Sequence, residues 1–256
     1  MEERELIKEL YEIGAVRFGE FTLKSGKKSP YYIDLRILPS YPNVLRHSGK
    51  VMGRMILGDP DKPDILCGVP AAGLAIATAI SLETGVAAFY TKKEPIVYKD
   101  LSKHLNNLLS VRQEDGGFTF DERAGVEAAI EIIDKLSGLK THGIPRYVDG
   151  DFQDGVRIGI VDDLITTAES KLEARDLILL DARRRNFSVK VTEVYVLLDR
   201  EQGGKEALEK EGIKLHSVFT IREAAKWLYE AGNLAPEMYE TIFNYTIEER
   251  KSMGLK

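Results

Sequence analysis

The chain has 256 residues, of which 43% are hydrophobic and 30% are charged, and its formal net charge is −5 at pH 7. These values are typical of a globular protein with a sizeable core, and they exclude a general nucleic-acid binder with a broad basic face. The single cysteine, Cys67, excludes an internal disulfide and a cysteine-rich metal site, and its apolar surroundings predict a buried strand thiol. No apolar run is long enough to span a membrane, and residues 1–15 do not resemble a signal sequence, so we expect a cytoplasmic protein.

The first part of the chain predicts a helix, a small hairpin and a second helix. Apolar residues recur at helical spacing over 2–13, and Gly and Pro interrupt short β-type runs over 18–38. A further helix is predicted at about 43–57.

From residue 65 the pattern changes to short apolar strands that alternate with helices. Strands that are apolar on both faces indicate a largely parallel sheet covered by helices on both sides, which is an α/β fold. The predicted strands are Ile65–Val69, Val86–Tyr90, Arg157–Val161, Lys190–Leu198 and Lys214–Phe219, and the helices are Ala72–Glu83 and about 169–186, 203–211 and 221–231.

Residues 95–139 interrupt this alternation with two amphipathic helical patterns. We interpret them as a helical insertion between two strands, because lengthening a surface loop costs little closure entropy. The chain is then a single domain over 1–256 that carries an insertion.

The stretch from Arg157 to Ser170 carries the most chemistry. An apolar strand ends in Asp162 and Asp163, and a turn with two threonines leads into a helix. The carboxyl end of a parallel strand followed by a helix N-terminus is a common anion site, and carboxylates suit ribose hydroxyls, a nearby magnesium ion or a developing ribosyl cation. From these residues alone, a solvated turn with a capped helix is an equally good interpretation.

This stretch resembles the phosphoribosyl pyrophosphate (PRPP) motif of type I phosphoribosyltransferases, and further segments resemble the orotate enzymes of that family. The resemblance covers roughly residues 1–94 and 140–245. The segments that carry it are Phe18–Gly26, Ser29–Arg36, Gly68–Gly73, Leu198–Gly204 and His216–Thr220.

The resemblance implies a type I phosphoribosyltransferase fold in which residues 1–42 form an N-terminal helix and hood. Two departures concern the phosphate site: relatives commonly have small residues, often glycine, at the positions of Ala168 and Glu169, and some have lysine in place of Ala72. Because a carboxylate close to a phosphate would repel it, we expect the Glu169 carboxylate to point to solvent. The residues that would bind PRPP are Thr166, Thr167, Ala168, Glu169, Ser170, Ala71, Ala72, Gly73, Lys92 and Lys93.

Orotate is a planar ring with a carboxylate, which favours an arginine fork. By resemblance Arg200 would bind the carboxylate, Thr166 would contact the ring, Tyr31 and Tyr32 would line the pocket, and Lys24 would reach the reacting groups. The alternatives are a surface ion pair of Arg200 with Asp199 or Glu201, and core or interface packing for the tyrosines.

Orotate enzymes also close a basic loop over pyrophosphate, and the resemblance assigns to it Lys92, Lys93, Lys140 and His142. The insertion would then lie inside this loop. Solvated surface lysines and an exposed histidine are the alternative. The other three histidines, His47, His104 and His216, are not spaced as a metal site and are interpreted as packing or surface residues.

The resemblance predicts that Asp162, Asp163, Lys93, Lys140 and His142 support catalysis. Magnesium would arrive bound to PRPP, so no protein metal site is predicted. The expected assembly is a homodimer with shared active sites. An enzyme of the same fold for another base, and a non-catalytic PRPP-sensing regulator, are the competing functions. Arg200 argues against the first, and the lack of a nucleic-acid-binding module argues against the second.

Overall fold

The computed structural model describes residues 2–22, 26–92 and 147–255. The chain divides into two compact units, one formed by Met1–Thr91 with Val148–Lys256 and the other by Lys92–Tyr147. In the second unit only Lys92 and Tyr147 are described, and the Lys92 amide donates to the Tyr147 carbonyl oxygen at 2.9 Å. The insertion predicted at 95–139 lies outside the described residues, so its helices and the single-domain organisation stay predictions.

The first unit is an α/β unit in which helices and strands alternate after an N-terminal helix and hairpin. Its elements are α1 (Glu2–Glu12), β1 (Val16–Thr22), β2 (Lys28–Ile33), a 3-10 helix (Leu35–Ser40), α2 (Pro42–Gly58), β3 (Ile65–Gly68), α3 (Ala72–Thr84), β4 (Ala88–Thr91), β5 (Val148–Asp149), β6 (Arg157–Ile165), α4 (Glu169–Arg184), β7 (Lys190–Asp199), α5 (Gly204–Lys210), β8 (Lys214–Thr220), α6 (Ile221–Glu230) and α7 (Pro236–Ser252).

The main sheet has six strands in the order β5-β4-β3-β6-β7-β8. All neighbouring pairs are parallel except β4 and β5, which are antiparallel. The predicted parallel sheet is thereby confirmed, and Cys67 of β3 is fully buried, which raises the pKa of its thiol.

Both faces of the sheet are covered, and the apolar run Val194–Leu198 of β7 shows the consequence for the sequence. Val194 and Val196 pack into a cluster with Ile178 of α4 and Leu208 of α5. The alternating residues Tyr195 and Leu197 pack into the opposite cluster, which includes side chains of α1, α2, α3, α6 and α7. Because successive side chains of a strand point to opposite faces, the stretch of a central strand that lies between two helical layers is apolar at successive positions.

The predicted hairpin is confirmed as β1 and β2, which pair antiparallel with Phe18 opposite Tyr31. The register shifts between Phe18 and Phe21, so the hairpin carries a bulge.

One expectation about the elements was wrong, and one element was not predicted. Strand β6 was expected to end at Val161, but it continues to Ile165, because Leu164 and Ile165 pair with Leu198 and Asp199 of β7. Asp162 and Asp163 therefore lie within the strand rather than after it. The C-terminal helix α7 was not predicted, although Pro236 stands at its first turn and its apolar residues follow helical spacing. No helix among the described residues combines the length and apolar character needed to cross a membrane.

Candidate active site

The carboxyl ends of β3, β6 and β7 lie side by side, and they bring together most of the described candidate residues. The loop after β3 packs directly on the end of β6: the Val69 amide donates to the Val161 carbonyl oxygen at 2.9 Å. A Cβ added at Gly73 would lie 2.9 Å from the Cα of Asp162, so this position has room only for glycine. Within the loop Ala71 is exposed, Ala72 is buried at the start of α3, and the Pro70–Ala71 peptide is cis.

Asp162 is a buried carboxylate that is fully engaged within the protein. Its Oδ2 lies 2.6 Å from Nζ of Lys171, and its Oδ1 accepts the amide of Asp163 at 2.9 Å. The Lys171 side chain is only 5% exposed, and its Nζ also donates to the Leu164 carbonyl oxygen and to Ser170 Oγ. Sequence reasoning missed Lys171, although it follows the PRPP-like segment directly.

Asp163 is half-buried beside this pair. Its Oδ1 accepts the Leu164 amide at 2.8 Å. Burial, reinforced by the charge of Asp162, raises the pKa of Asp163 to about 7, and Lys171 offsets only part of that rise. A carboxyl that titrates near neutral pH is able to exchange its proton or its charge for contact with a ligand.

The turn after β6 leads into α4 through Ala168, whose φ of 69° is in the left-handed region. No side chain caps the helix, and the Ala168 carbonyl oxygen accepts the amides of Lys171 and Leu172. The first amides of a helix have no partner within it, so this turn offers donors to an anion. Thr167, Glu169 and Ser170 are exposed, and Thr166 is half-buried. Glu169 is exposed as we expected, in the first turn of α4.

Arg200 follows β7, and its amide donates to the Ile165 carbonyl oxygen at 3.1 Å. Its Cζ lies 5.3 Å from the centre of the Tyr31 ring. Among the described residues, neither the buried Nε of Arg200 nor the buried Oη of Tyr31 has a hydrogen-bond partner. Burial raises the pKa of Tyr31 to about 12, although the nearby Arg200 opposes this rise. Two buried polar atoms without a hydrogen-bond partner, on side chains that contact each other, indicate a place for a ligand with hydrogen-bonding groups.

The carboxylates next to Arg200 in the sequence are engaged elsewhere. Nε of Arg222 lies 2.9 Å from both carboxylate oxygens of Glu201. Oδ1 of Asp199 accepts the Glu201 amide at 2.7 Å. The surface ion pair that was the alternative for Arg200 is therefore not observed in the part of the chain that the structure describes.

Helix α7 supports Tyr31 from behind, and sequence reasoning missed this contact. The Tyr245 ring meets the Tyr31 ring edge-on, with centroids 5.8 Å apart. Glu249 accepts hydrogen bonds from Tyr245 Oη at 3.1 Å and from Gln202 Nε2 and Lys27 Nζ, each at 2.7 Å. The spacing of Tyr245 and Glu249, one helical turn apart, was the available sequence signal.

Tyr32 has different neighbours from Tyr31, because successive residues of β2 point to opposite faces. The guanidinium of Arg17 lies 4.7 Å above the centre of its ring. Arg36 is held by Asp34 through two hydrogen bonds of 2.7 and 2.9 Å. This pair raises the pKa of Arg36, and the charges of Tyr32 and Asp163 add to the rise, so Arg36 lies near both.

Four predicted site residues, Lys24, Lys93, Lys140 and His142, lie outside the described residues, and their roles stay predictions. Lys92 is described, but it belongs to the second unit.

A second buried charge cluster lies on the N-terminal halves of β7 and β8. Nε2 of His216 is 2.5 Å from Glu193 Oε2 and 3.0 Å from Asp59 Oδ2, while Tyr195 stacks on the imidazole at 4.6 Å. Burial by itself would raise the pKa of Asp59, but the Asp61 amide and the nearby cations His216 and Lys214 lower it overall. These three ligand atoms are close enough to hold a metal ion, which spacing in the sequence did not reveal.

Comparison with known proteins gives one family for this chain, although no family model matches it. It is 32% identical to the orotate phosphoribosyltransferase of Chlamydia caviae over 86% of this chain and 82% of the relative. It is 31% identical to that of Cenarchaeum symbiosum over 91% of this chain and 92% of the relative.

Solved structures agree with this assignment. A UMP synthase from Leishmania donovani matches with a TM-score of 0.67 at 27% identity, covering 96% of this chain and 42% of that one. An orotate phosphoribosyltransferase from Aeropyrum pernix matches with a TM-score of 0.59 at 25% identity, covering 90% and 99%. The predicted fold class is confirmed, and the chain belongs to the orotate phosphoribosyltransferase family.

Proposed function

We propose that this enzyme, a pentosyltransferase by family, transfers the phosphoribosyl group of PRPP to N1 of orotate, releasing pyrophosphate and forming orotidine 5′-monophosphate for UMP synthesis. The observation that carries the proposal is the unpaired Nε of Arg200 beside Tyr31, at the carboxyl end of β7 and next to the turn after β6. It supports a planar, carboxylate-bearing base as the substrate.

Base recognition rests on charge and shape. A guanidinium whose buried Nε has no hydrogen-bond partner among the described residues favours a carboxylate, and its planar fork matches the two oxygens of that group. Tyr31 supports the guanidinium, and α7 in turn supports Tyr31. Thr166, Tyr32 and Lys24 are proposed as further contacts to the ring and to the reacting groups.

The phosphates of PRPP are proposed to bind at two turns. The 5′-phosphate would accept hydrogen bonds from the first amides of α4 and from the hydroxyls of Thr166, Thr167 and Ser170. The pyrophosphate would lie against the loop of Ala71, Ala72 and Gly73, which contacts the end of β6. Because Ala72 has no polar side chain, that contact would be to backbone only.

Catalysis would depend on the charge that develops as the bond to pyrophosphate breaks. The ribose carbon becomes cationic, and a carboxylate at the end of β6 stabilises that charge more strongly in the transition state than in the ground state. Hard carboxylate oxygens fit magnesium, and we propose that Asp163, whose carboxylate is less engaged within the protein than that of Asp162, lies near a magnesium ion carried by PRPP. When bound, magnesium neutralises charge on the departing pyrophosphate. The imidazole-containing cluster around His216 does not suit magnesium.

We further propose a cytoplasmic homodimer in which the basic loop of one subunit, with Lys92, Lys93, Lys140 and His142, closes over the PRPP of its neighbour. A mobile loop from across a two-fold interface is able to open for product release without disturbing the base site. Closure also excludes water, which competes for the ribosyl cation.

An assay with the purified protein tests the reaction. Orotate absorbance should fall only when PRPP and magnesium are both present, and uracil and hypoxanthine should be turned over far more slowly. Equal turnover of these bases would point to the competing enzyme of the same fold. Binding of PRPP without turnover of any base would favour a regulator.

A subunit-mixing experiment tests the shared site. Lys140→Ala and Asp163→Asn should each be nearly inactive alone. If loops act across the dimer, mixed dimers hold one site with both defects and one with neither, so exchange should restore activity to about a quarter of wild type. No recovery, despite exchange verified by mass, would contradict the shared site.

A further inference from the structure

Lys171 is a buried cation for which the proposed reaction has no role. Its side chain is 5% exposed, although lysine is rarely buried unless its charge is paired. It stands in the first turn of α4, directly after the residues proposed to bind PRPP.

The Lys171 ammonium group makes three contacts, one for each of its hydrogens. Nζ lies 2.6 Å from Asp162 Oδ2 and 3.3 Å from Ser170 Oγ, and it also donates to the Leu164 carbonyl oxygen. These acceptors lie on both sides of the turn that joins β6 to α4. Lys171 therefore fixes the two ends of the proposed phosphate-binding turn relative to each other.

The same contacts occupy Asp162. One of its oxygens faces Lys171, and the other accepts the Asp163 amide. The Asp162 side chain is 8% exposed, whereas Asp163 is half-buried and accepts only a single backbone amide among the described contacts.

We infer that Lys171 is a positioning residue that holds Asp162 as an internal anchor and leaves Asp163 as the carboxylate that meets the ribose of PRPP. This inference rests on the proposed function and divides the work of the two aspartates. The Asp162–Lys171 pair is neutral, so the end of β6 presents one negative charge instead of two. PRPP is itself an anion, and an uncompensated carboxylate about 6 Å from a phosphate would weaken binding about a hundredfold at an effective dielectric constant of about 20.

A double-mutant cycle tests the inference, with PRPP, magnesium and orotate as the reactants. Lys171→Met keeps the length of the side chain but leaves the Asp162 charge buried and unpaired, so kcat/KM for PRPP should fall at least about tenfold. Asp162→Asn should lower kcat/KM for PRPP by a similar factor, because it leaves the Lys171 charge unpaired. KM for orotate should change less than about twofold, because its carboxylate would meet Arg200.

The double variant Asp162→Asn with Lys171→Met removes both charges together. It should recover at least about tenfold over Lys171→Met, because neither unpaired charge remains. If Asp162 itself contacts the ribose, the double variant will stay as impaired as Asp162→Asn, and the inference is overturned. A Lys171→Met enzyme with wild-type kcat/KM would overturn it equally.

Controls separate this coupling from general loss of structure. The exposed pair Lys8 and Glu12 is 3.7 Å apart, and the double variant Lys8→Met with Glu12→Gln should show no coupling. If Lys171→Met does not fold, Lys171→Arg and the double variant are compared with Asp162→Asn instead. Lys171→Arg should then exceed Asp162→Asn in kcat/KM for PRPP, because the pair survives.

Wild-type enzyme in the same assay distinguishes failure of the inference about Lys171 from failure of the proposed function. Orotate turnover by wild type without coupling between the two positions overturns the inference alone. Failure of wild type to turn over orotate overturns the proposed function, and the coupling is then measured as PRPP affinity by calorimetry, where its absence overturns the inference as well.

Discussion

Strand β7 connects two groups of charged side chains, and these groups differ in how completely their charges are paired. The first, which we call the histidine cluster, consists of Asp59, Glu193, His216, Tyr195 and Lys214. The second, the strand-end site, consists of Asp162, Asp163, Lys171, Arg200 and Tyr31. Glu193 and Arg200 are separated by seven residues of extended chain, which corresponds to roughly 23 Å.

The two groups differ in how completely their charges are paired. In the histidine cluster each carboxylate faces at least one cation or hydrogen-bond donor within the chain. In the strand-end site Asp162 and Lys171 are paired in this way and Asp163 accepts one backbone amide, whereas Arg200 Nε and Tyr31 Oη have no hydrogen-bond partner among the described residues. An unpaired buried polar group costs about 1–3 kcal/mol, so its presence indicates a surface shaped for a ligand rather than for stability. Changes in the first group should therefore lower stability, and changes in the second should lower activity.

The largest effect is expected for His216→Phe. The aromatic ring keeps the stack on Tyr195, but Glu193 and Asp59 become buried carboxylates without the imidazole that contacts both of them. Leaving buried carboxylates without their partner in this way costs about 3–5 kcal/mol of unfolding free energy, measurable by urea denaturation. His47→Phe is the control, because His47 pairs with the more exposed Glu9, and it should cost less than about 1 kcal/mol. A His216→Phe protein as stable as wild type would contradict the structural role of the cluster.

Arg200→Ala should lower activity much more than stability. Loss of a charged hydrogen bond to orotate should cost about 1.5–3 kcal/mol, which raises KM for orotate about 10-fold to 150-fold. KM for PRPP should stay within about twofold, and the unfolding free energy should fall by less than in His216→Phe. Arg200→Lys keeps the charge but loses the planar fork, so it should be intermediate. An unchanged KM for orotate in Arg200→Ala would refute the role of this residue.

Asp163 should lower the stability of the ligand-free protein at neutral and alkaline pH. Its pKa is raised to about 7 in the folded protein, chiefly by burial, from an ordinary value of 3.8. The folded state therefore binds this proton more tightly than the unfolded state, and the resulting stability is present below about pH 4 and lost as the pH rises through 7. Asp163→Asn should consequently raise the unfolding free energy at pH 8 by about 2 kcal/mol, roughly half of what the full pKa shift corresponds to because solvent screens this partly exposed carboxylate, and by much less at pH 4.

The same substitution should lower kcat, because the charge of Asp163 matters most in the cationic transition state. A variant that is both more stable and less active would place Asp163 firmly in the second group. Equal stability of the two proteins at pH 8 would show that burial does not penalise this carboxylate.

The smallest effect is expected for Ala168→Gly. Ala168 has a φ of 69°, where a Cβ is unfavourable by about 1–2 kcal/mol, and the greater freedom of glycine in the unfolded chain offsets part of the gain. The melting temperature should rise by a few degrees at most, corresponding to about 0.5–1 kcal/mol. Ala182→Gly, within α4 and equally buried, is the matched control and should lower it. A decrease for Ala168→Gly as well would mean that the turn does not hold this conformation in solution.

Sequence patterns predicted the sheet well and the site in part. An apolar run sufficed to predict β3 and the Val194–Leu198 part of β7, because burial on both faces leaves a continuous apolar run. It failed at β6, where two aspartates hid the fact that Leu164 and Ile165 still pair with β7. A carboxylate inside a strand needs a buried partner, and Lys171 became recognisable as that partner only when the strand and helix were placed together.

The base site and the histidine cluster show a second limit. The place of Arg200 followed from resemblance, but its contact with Tyr31 and the support of Tyr31 by Tyr245 join distant parts of the chain. His216 was interpreted as a packing or surface residue, because Asp59 and Glu193 are too far from it in sequence to suggest a common cluster. Pairwise contacts at long separation depend on the register of whole elements, which local pattern does not contain.

The support of Tyr31 by α7 has a consequence for the order in which the enzyme is made. Lys27 and Glu249, whose hydrogen bond joins the N-terminal part of the chain to α7 beside Tyr31, are 222 positions apart along the chain. The ribosome delivers β3, β6 and β7 well before α7, and contacts at such separation form late because loop closure opposes them. A nascent chain whose sheet is complete would therefore have the turn proposed to bind PRPP before α7 packs against Tyr31. We expect such a chain to bind the phosphorylated sugar before it can select the base.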